Sequence, residues 1–177
     1  MDDALKFHDI ETELQSLASP GIRPGLARLS HLLMLLGGPE RKFKAVHVVG
    51  TNGKGSTAST LASILKESGC RTALYTSPHL VSFGERLQIG GEEVPPHKWE
   101  DVLSVIKTAL DSSKRLKEDP PTYFELITAA AFMIIADEAV DIAVVEAGLG
   151  CRLDATNILS DVILTLITPI GIDHSEY

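Results

Sequence analysis

The chain has 177 residues, 44% hydrophobic and 23% charged, with a formal net charge of −8. That length and apolar fraction predict one domain with a sizeable core, and the acidic balance excludes a surface that grips nucleic acid through its phosphates. Any phosphate site must therefore be local.

Two widely separated cysteines, Cys70 and Cys151, form neither a CxxC pair nor a Cys/His cluster, which argues against a disulfide framework or a zinc site and suits a reducing cytoplasm. The first residues, MDDALKFHDIETEL, are acidic and lack the basic flank and apolar core of a signal peptide. No apolar run is long enough to cross a bilayer, so neither membrane nor nucleic acid is an expected partner.

In chain order, residues 3–17 carry Leu5, Ile10, Leu14 and Leu17 at loose helical spacing, and SPGIRPG ends that helix with prolines and glycines. A second helix is predicted over residues 26–36. KAVHVVG then reads as a buried strand, STASTLASILKESG as a helix closed by Gly69, and RTALYTS as another strand, which together make a βαβ unit. RLQIGGEEV holds two short extended pieces around Gly90 and Gly91, a small antiparallel excursion. HKWEDVLSVIKTAL places Trp99, Val102, Val105, Ile106 and Leu110 near helical spacing, and KRLKEDPPT reads as an exposed connector. YFELITAAAFMIIADEA is apolar nearly all round, hence a helix sandwiched against the sheet. DIAVVEAG and DVILTLITPIG supply two more strands with little polar alternation, as when helices cover both faces. The predicted fold class is α/β: a P-loop-type, mostly parallel sheet with helices on both faces and a small antiparallel hairpin.

HVVGTNGKGSTAS puts Gly50, Gly53 and Gly55 between strand and helix, where several backbone N–H groups and the positive end of a helix dipole can converge on an anion. Lys54 can neutralise phosphate oxygens, and the Ser56 hydroxyl can meet the phosphates or their metal. The spacing departs from the usual phosphate loop: only Thr51 and Asn52 precede the Gly-Lys pair, and Gly55 separates Lys54 from Ser56. A tight turn with a solvated lysine is the plainer alternative. Ser77, Glu146 and His174 all lie just past the carboxyl ends of predicted strands, the edge where ligands bind in open α/β sheets. Glu146 closes an apolar strand, so it requires a salt-bridge partner or a bound cation. By chemistry alone His174 is a phosphate contact, a proton carrier or a surface histidine, since Mg²⁺ prefers oxygen.

GTNGKGST resembles the phosphate loop of the Mur ligase superfamily, in the form seen in folylpolyglutamate synthase and dihydrofolate synthase. YTSPHLVSFGERLQI, TYFELITAAAF, VEAGLGCRLDATN and IGIDHSEY match in the same order, so the resemblance runs from about Leu26 to the last residue. It implies an ATP-dependent ligase that phosphorylates the carboxylate of a dihydropteroate or reduced folate and joins it to L-glutamate through an acyl phosphate. A P-loop kinase or nucleotide hydrolase would share the glycine loop but not TYFE or GLGCRLDATN, and a nucleotide-binding module without chemistry is the third reading. The resemblance makes Asn52, Gly53, Lys54, Gly55 and Ser56 the ATP cradle, with Lys54 and His174 catalytic, and Ser77, Glu146 and His174 the magnesium positions. Thr122, Tyr123, Phe124, Glu125 and Leu153 fall on its pterin-contacting positions, while Arg23, Pro24 and Gly25 occupy its first substrate-binding segment. Tyr123 and Phe124 can stack on a flat heterocycle or serve as core. Cys151 stands where that family has a second glycine; a differently bent loop, a thiol lining the groove and an inert buried thiol all fit. The resemblance also implies that residues 1–177 form an N-terminal ATP-binding domain, incomplete at its C-terminal end and lacking a C-terminal domain.

Overall fold

The structure is a computed structural model that describes residues 3–171. Helices α1 (Asp3–Leu17) and α2 (Ala27–Leu35) precede strand β1 (Ala45–Val49), which runs through the glycine loop into α3 (Lys54–Glu67) and on to β2 (Thr72–Tyr75). Strands β3 (Leu87–Ile89) and β4 (Glu92–Glu93) form a hairpin. Helices α4 (Pro96–Ser112), α5 (Lys114–Glu118) and α6 (Tyr123–Asp137) then lead to β5 (Ile142–Glu146) and β6 (Val162–Ile167). The sheet order is β4-β3-β2-β5-β1-β6. β2, β5, β1 and β6 are parallel, and the hairpin adds two antiparallel strands beyond β2. This is the predicted α/β class, with the antiparallel excursion at the predicted glycines.

Side chains of successive strand residues point to opposite faces, and the two cores separate accordingly. Ala45, Ala73, Tyr75, Ala143 and Val145 join the large core built with α1, α2, α4 and α6. Val46, Val48, Leu74, Ile142 and Val144 face α3, which lays Ala58 and Ala62 against them. Pairing of Val48 with Glu146, and of Tyr75 with Val145, brings the carboxyl ends of β1, β2 and β5 level. The loops that leave these three strands therefore emerge side by side.

Four details differ from the sequence reading. In α1, Phe7 packs inward where Leu5 was expected, because Phe7, Ile10 and Leu14 share one face and Leu5 is 51% exposed. In α4 the inward row is Trp99, Leu103, Ile106 and Ala109, which leaves Val105 half-exposed. The connector contains a helical turn, α5, because the Ser113 side chain caps it by accepting from Leu116 N and Leu116 buries itself in the core. Finally, β6 is paired only with β1 among the described strands and lies at the sheet edge; Ile163 and Leu164 are about half exposed, so both-face burial holds for β5 but not for β6.

Candidate active site

The glycine loop is fixed by backbone geometry at both ends. Gly50 has φ +134° and sits so close to the chain after β6 that an added Cβ would lie 2.1 Å from Thr168 Oγ1. Thr51 and Asn52 donate their N–H groups to Pro169 O at 3.1 and 3.3 Å, and Gly171 N donates to Thr51 Oγ1 at 3.0 Å. Gly53 (φ +80°) then starts α3, whose first turn begins at Lys54, two residues earlier than the composition suggested. No acidic side chain of that turn occupies the helix start. Lys54 Nζ donates back to Thr51 O at 3.2 Å, which holds the ammonium over the loop. Asn52, Gly53 and Ser56 are exposed there.

Glu146 sits at the end of β5, 5% exposed, and its Oε2 accepts the N–H of Ser77 at 3.1 Å. Gly55 N also donates to it, so one carboxylate ties the helix start to the turn after β2. Burial pushes the Glu146 carboxyl above its ordinary range, and the Ser77 N–H, the Lys54 ammonium and the Gly55 N–H act against that rise. Lys54, Gly55, Ser77 and Glu146 are thus brought together. Among the described residues no three His, Cys, Asp or Glu side chains cluster as a metal site. The donors present, one carboxylate and one hydroxyl beside an anion cradle, suit Mg²⁺, which takes one or two carboxylates and completes its shell with phosphate oxygens and waters. His174 lies outside the described residues.

A cleft of about 600 Å³ opens beside this point. Arg23, Pro24, Gly25, Ser77, Thr122, Tyr123, Phe124, Glu125 and Leu153 all line it, so every residue assigned to the organic substrate reaches one cavity. Phe124 stacks on Tyr75 with ring centres 6.4 Å apart, whereas Tyr123 donates its hydroxyl to Glu11 on α1 at 2.6 Å. Arg23 is paired with Asp119 at 2.6 Å. Thr122 and Glu125 form a reciprocal capping box: Thr122 Oγ1 accepts from Glu125 N, and Glu125 Oε2 accepts from Thr122 N at 2.7 Å. Arg28 Nε also donates to Glu125 Oε2 at 3.1 Å, while Oε1 is buried without a partner among the described residues.

Sequence reasoning missed a polar chain behind this wall. His47 on β1, 3% exposed, meets Thr156 Oγ1 at 2.8 Å; Thr156 Oγ1 donates to Asp154 Oδ1 at 2.6 Å, and Asp154 Oδ2 accepts Leu149 N at 2.7 Å. Asp154 and Leu149 both line the cleft. The available signal was the Asp-Ala-Thr spelling, in which an Asx side chain caps the short 3-10 helix Ala155–Ile158. Arg86, also a lining residue, carried no such signal. Cys151 adopts φ +62°, so the loop keeps a glycine-like left-handed bend, and the half-buried thiol is pushed up by burial. It is flanked by Gly150 and Arg152, which line the cleft where Cys151 does not.

No protein-family model matches the chain. It is 37% identical over 169 residues to the dihydrofolate synthase/folylpolyglutamate synthase of Bacillus subtilis, covering 95% of this chain and 39% of that protein. Among solved structures, Mycobacterium tuberculosis folylpolyglutamate synthase complexed with ADP matches with a TM-score of 0.88 at 37% identity, over 99% of this chain and 39% of that one. The Escherichia coli FolC complex with DHPP and ADP matches with a TM-score of 0.86 at 35% identity, over 97% and 40%. The chain therefore spans about two fifths of the length of the relatives it matches. Over the part of those proteins that it spans, the chain is similar in sequence and in fold to folylpolyglutamate synthase/dihydrofolate synthase.

Proposed function

We propose that this chain carries the ATP site and the organic-acceptor cleft of a cytoplasmic ligase that joins L-glutamate to the carboxylate of a dihydropteroate or reduced folate. The observation that carries the reading is the junction of a lysine-bearing anion cradle with an aromatic-walled cleft at Glu146 and Ser77. The relatives' names and the ADP and DHPP of their complexes support it. The share of those relatives that the chain spans supports its role as the ATP-binding domain of a longer protein. The two free thiols fit a reducing compartment, and among the described residues no helix is long and apolar enough to cross a membrane.

In this reading the Gly53–Ser56 amides hold the terminal phosphates and Lys54 offsets their charge. Ser77 and Glu146 would hold Mg²⁺, which when bound neutralises phosphate charge. The cleft aims the acceptor carboxylate at the cradle, its aromatic wall taking the flat ring system and the buried Glu125 Oε1 offering an acceptor to ring N–H groups. The carboxylate oxygen attacks the γ-phosphorus and ADP leaves. The amino group of glutamate then attacks the acyl carbon of the resulting acyl phosphate, inorganic phosphate departs with the C–O bonding pair and takes up the proton that the nitrogen loses, and the amide remains. Lys54→Ala in the complete protein tests the cradle: ATP-dependent amide formation is expected to fall at least about a hundredfold, as when a preorganised charge is removed from the site of developing charge. Unchanged turnover would refute the assignment.

A further inference from the structure

Arg86 is 7% exposed and lines the cleft, yet no carboxylate among the described residues pairs with it. Its Nε donates to His79 Nδ1 at 2.9 Å. The guanidinium carbon lies 5.9 Å from the ring centres of both Phe83 and Tyr123. Those rings attract the cation through their quadrupoles, and among the described residues the only hydrogen bond from the guanidinium is the one from Nε. Neither neighbouring phenol supplies a negative charge, because burial pushes Tyr75 and Tyr123 far above their ordinary ionisation. A guanidinium stays charged, and a buried cation without an anion is a costly thing for a fold to keep. Arg23, which also lines the cleft, is paired with Asp119, and Arg28 behind the wall is paired with Glu125. For Arg86 the cleft is the side left open.

We propose that Arg86 is a ligand-binding residue that donates through its Nη groups to a negatively polarised oxygen of the organic acceptor. That oxygen is either the carboxylate that becomes the amide or an oxo group of the ring system. The inference rests on the proposed ligase reading and adds to it a charged residue that selects oxygen-bearing acceptors over apolar rings of equal size.

Calorimetric titration of the complete protein distinguishes the possibilities, using wild type, R86Q and R86K with dihydropteroate, 4-aminobenzoate, a pterin lacking the benzoate, and Mg-ATP. R86Q is expected to weaken dihydropteroate about 10- to 100-fold, the range for a lost charge-assisted hydrogen bond, with Mg-ATP affinity unchanged. A parallel loss for 4-aminobenzoate identifies the carboxylate as the bound group; a parallel loss for the bare pterin identifies the ring oxygen. R86K keeps the charge without the planar fork and should recover part of the affinity. Should R86Q fail to bind Mg-ATP, the comparison passes to R86K, which is expected to bind dihydropteroate several-fold more weakly than wild type. Wild-type affinity for dihydropteroate in the variant that retains Mg-ATP binding overturns the proposal while leaving the ligase reading intact. Absence of binding of any organic probe to the wild type removes the ligase reading itself, and the role of Arg86 with it.

Discussion

The backbone N–H of Ser77 donates to Glu146 Oε2 at 3.1 Å, joining the ends of two neighbouring parallel strands beside the start of α3. The same carboxylate accepts Gly55 N, so it braces the glycine loop and, in the proposed function, faces the divalent cation. Glu146→Ala in the complete protein is expected to abolish the gain in ATP affinity that Mg²⁺ confers, at least about tenfold, while ATP binding without metal changes little. Titrations with and without Mg²⁺ check it. An undiminished magnesium effect would remove Glu146 from the metal site.

His47 provides a pH test. Burial lowers its pKa below the ordinary 6.5, with Asp154 acting in the opposite direction. Between that lowered value and 6.5 the unfolded chain binds more protons than the folded one, so stability rises with pH through this window and is lost as pH falls through it. His47→Gln removes the titrating group. The stability difference between wild type and variant is expected to shrink as pH drops from 7.5 to about 5, read from urea unfolding of both proteins across pH. A pH-independent difference would contradict the buried neutral imidazole.

The two left-handed glycines of the loop should respond differently to one methyl group. At Gly50 the new Cβ meets Thr168 Oγ1 at 2.1 Å and Thr168 O at 2.7 Å, whereas at Gly53 nothing lies within 4 Å. Gly53→Ala is expected to lose about 1–2 kcal/mol through backbone strain, and Gly50→Ala clearly more, about 3 kcal/mol or above, through strain plus collision. Equal losses in denaturant unfolding would mean the β6 connection does not press on the loop.

Glu125 serves the fold whatever it does for substrate. It caps α6 through Thr122 N and pairs with Arg28, both side chains being largely buried. Glu125→Ala strands the Arg28 cation and is expected to lose about 3–5 kcal/mol of stability. The double variant with Arg28→Met should regain much of it, a coupling that a purely ligand-binding glutamate would not show.

Most of the sheet could be read from sequence because its strands are apolar runs bounded by glycines, and the glycine loop declared itself by spacing. The edge position of β6 could not: DVILTLITPIG has the same apolar spelling as a strand buried on both faces, and only the pairing order leaves Ile163 exposed. Helix α5 was hidden because Ser113 and Leu116 sit in a stretch dominated by charge, and a single cap with one buried leucine outweighed it. The residues of the acceptor segments line one cleft together with Ser77, whereas the glycine loop and Glu146 stand beside it and His174 lies outside the described residues. Arg86 and His47 escaped notice because their significance lies in what surrounds them, an unpaired charge and a polar chain across 109 residues of sequence.

The most direct measurement is product formation by the complete protein supplied with L-glutamate, Mg-ATP and either dihydropteroate or tetrahydrofolate, followed by mass spectrometry with ADP release counted in parallel. One glutamyl amide for each ADP, on at least one of the two acceptors and absent without ATP, is the predicted result. ADP release with no amide on either acceptor would contradict the ligase reading and leave a nucleotide hydrolase.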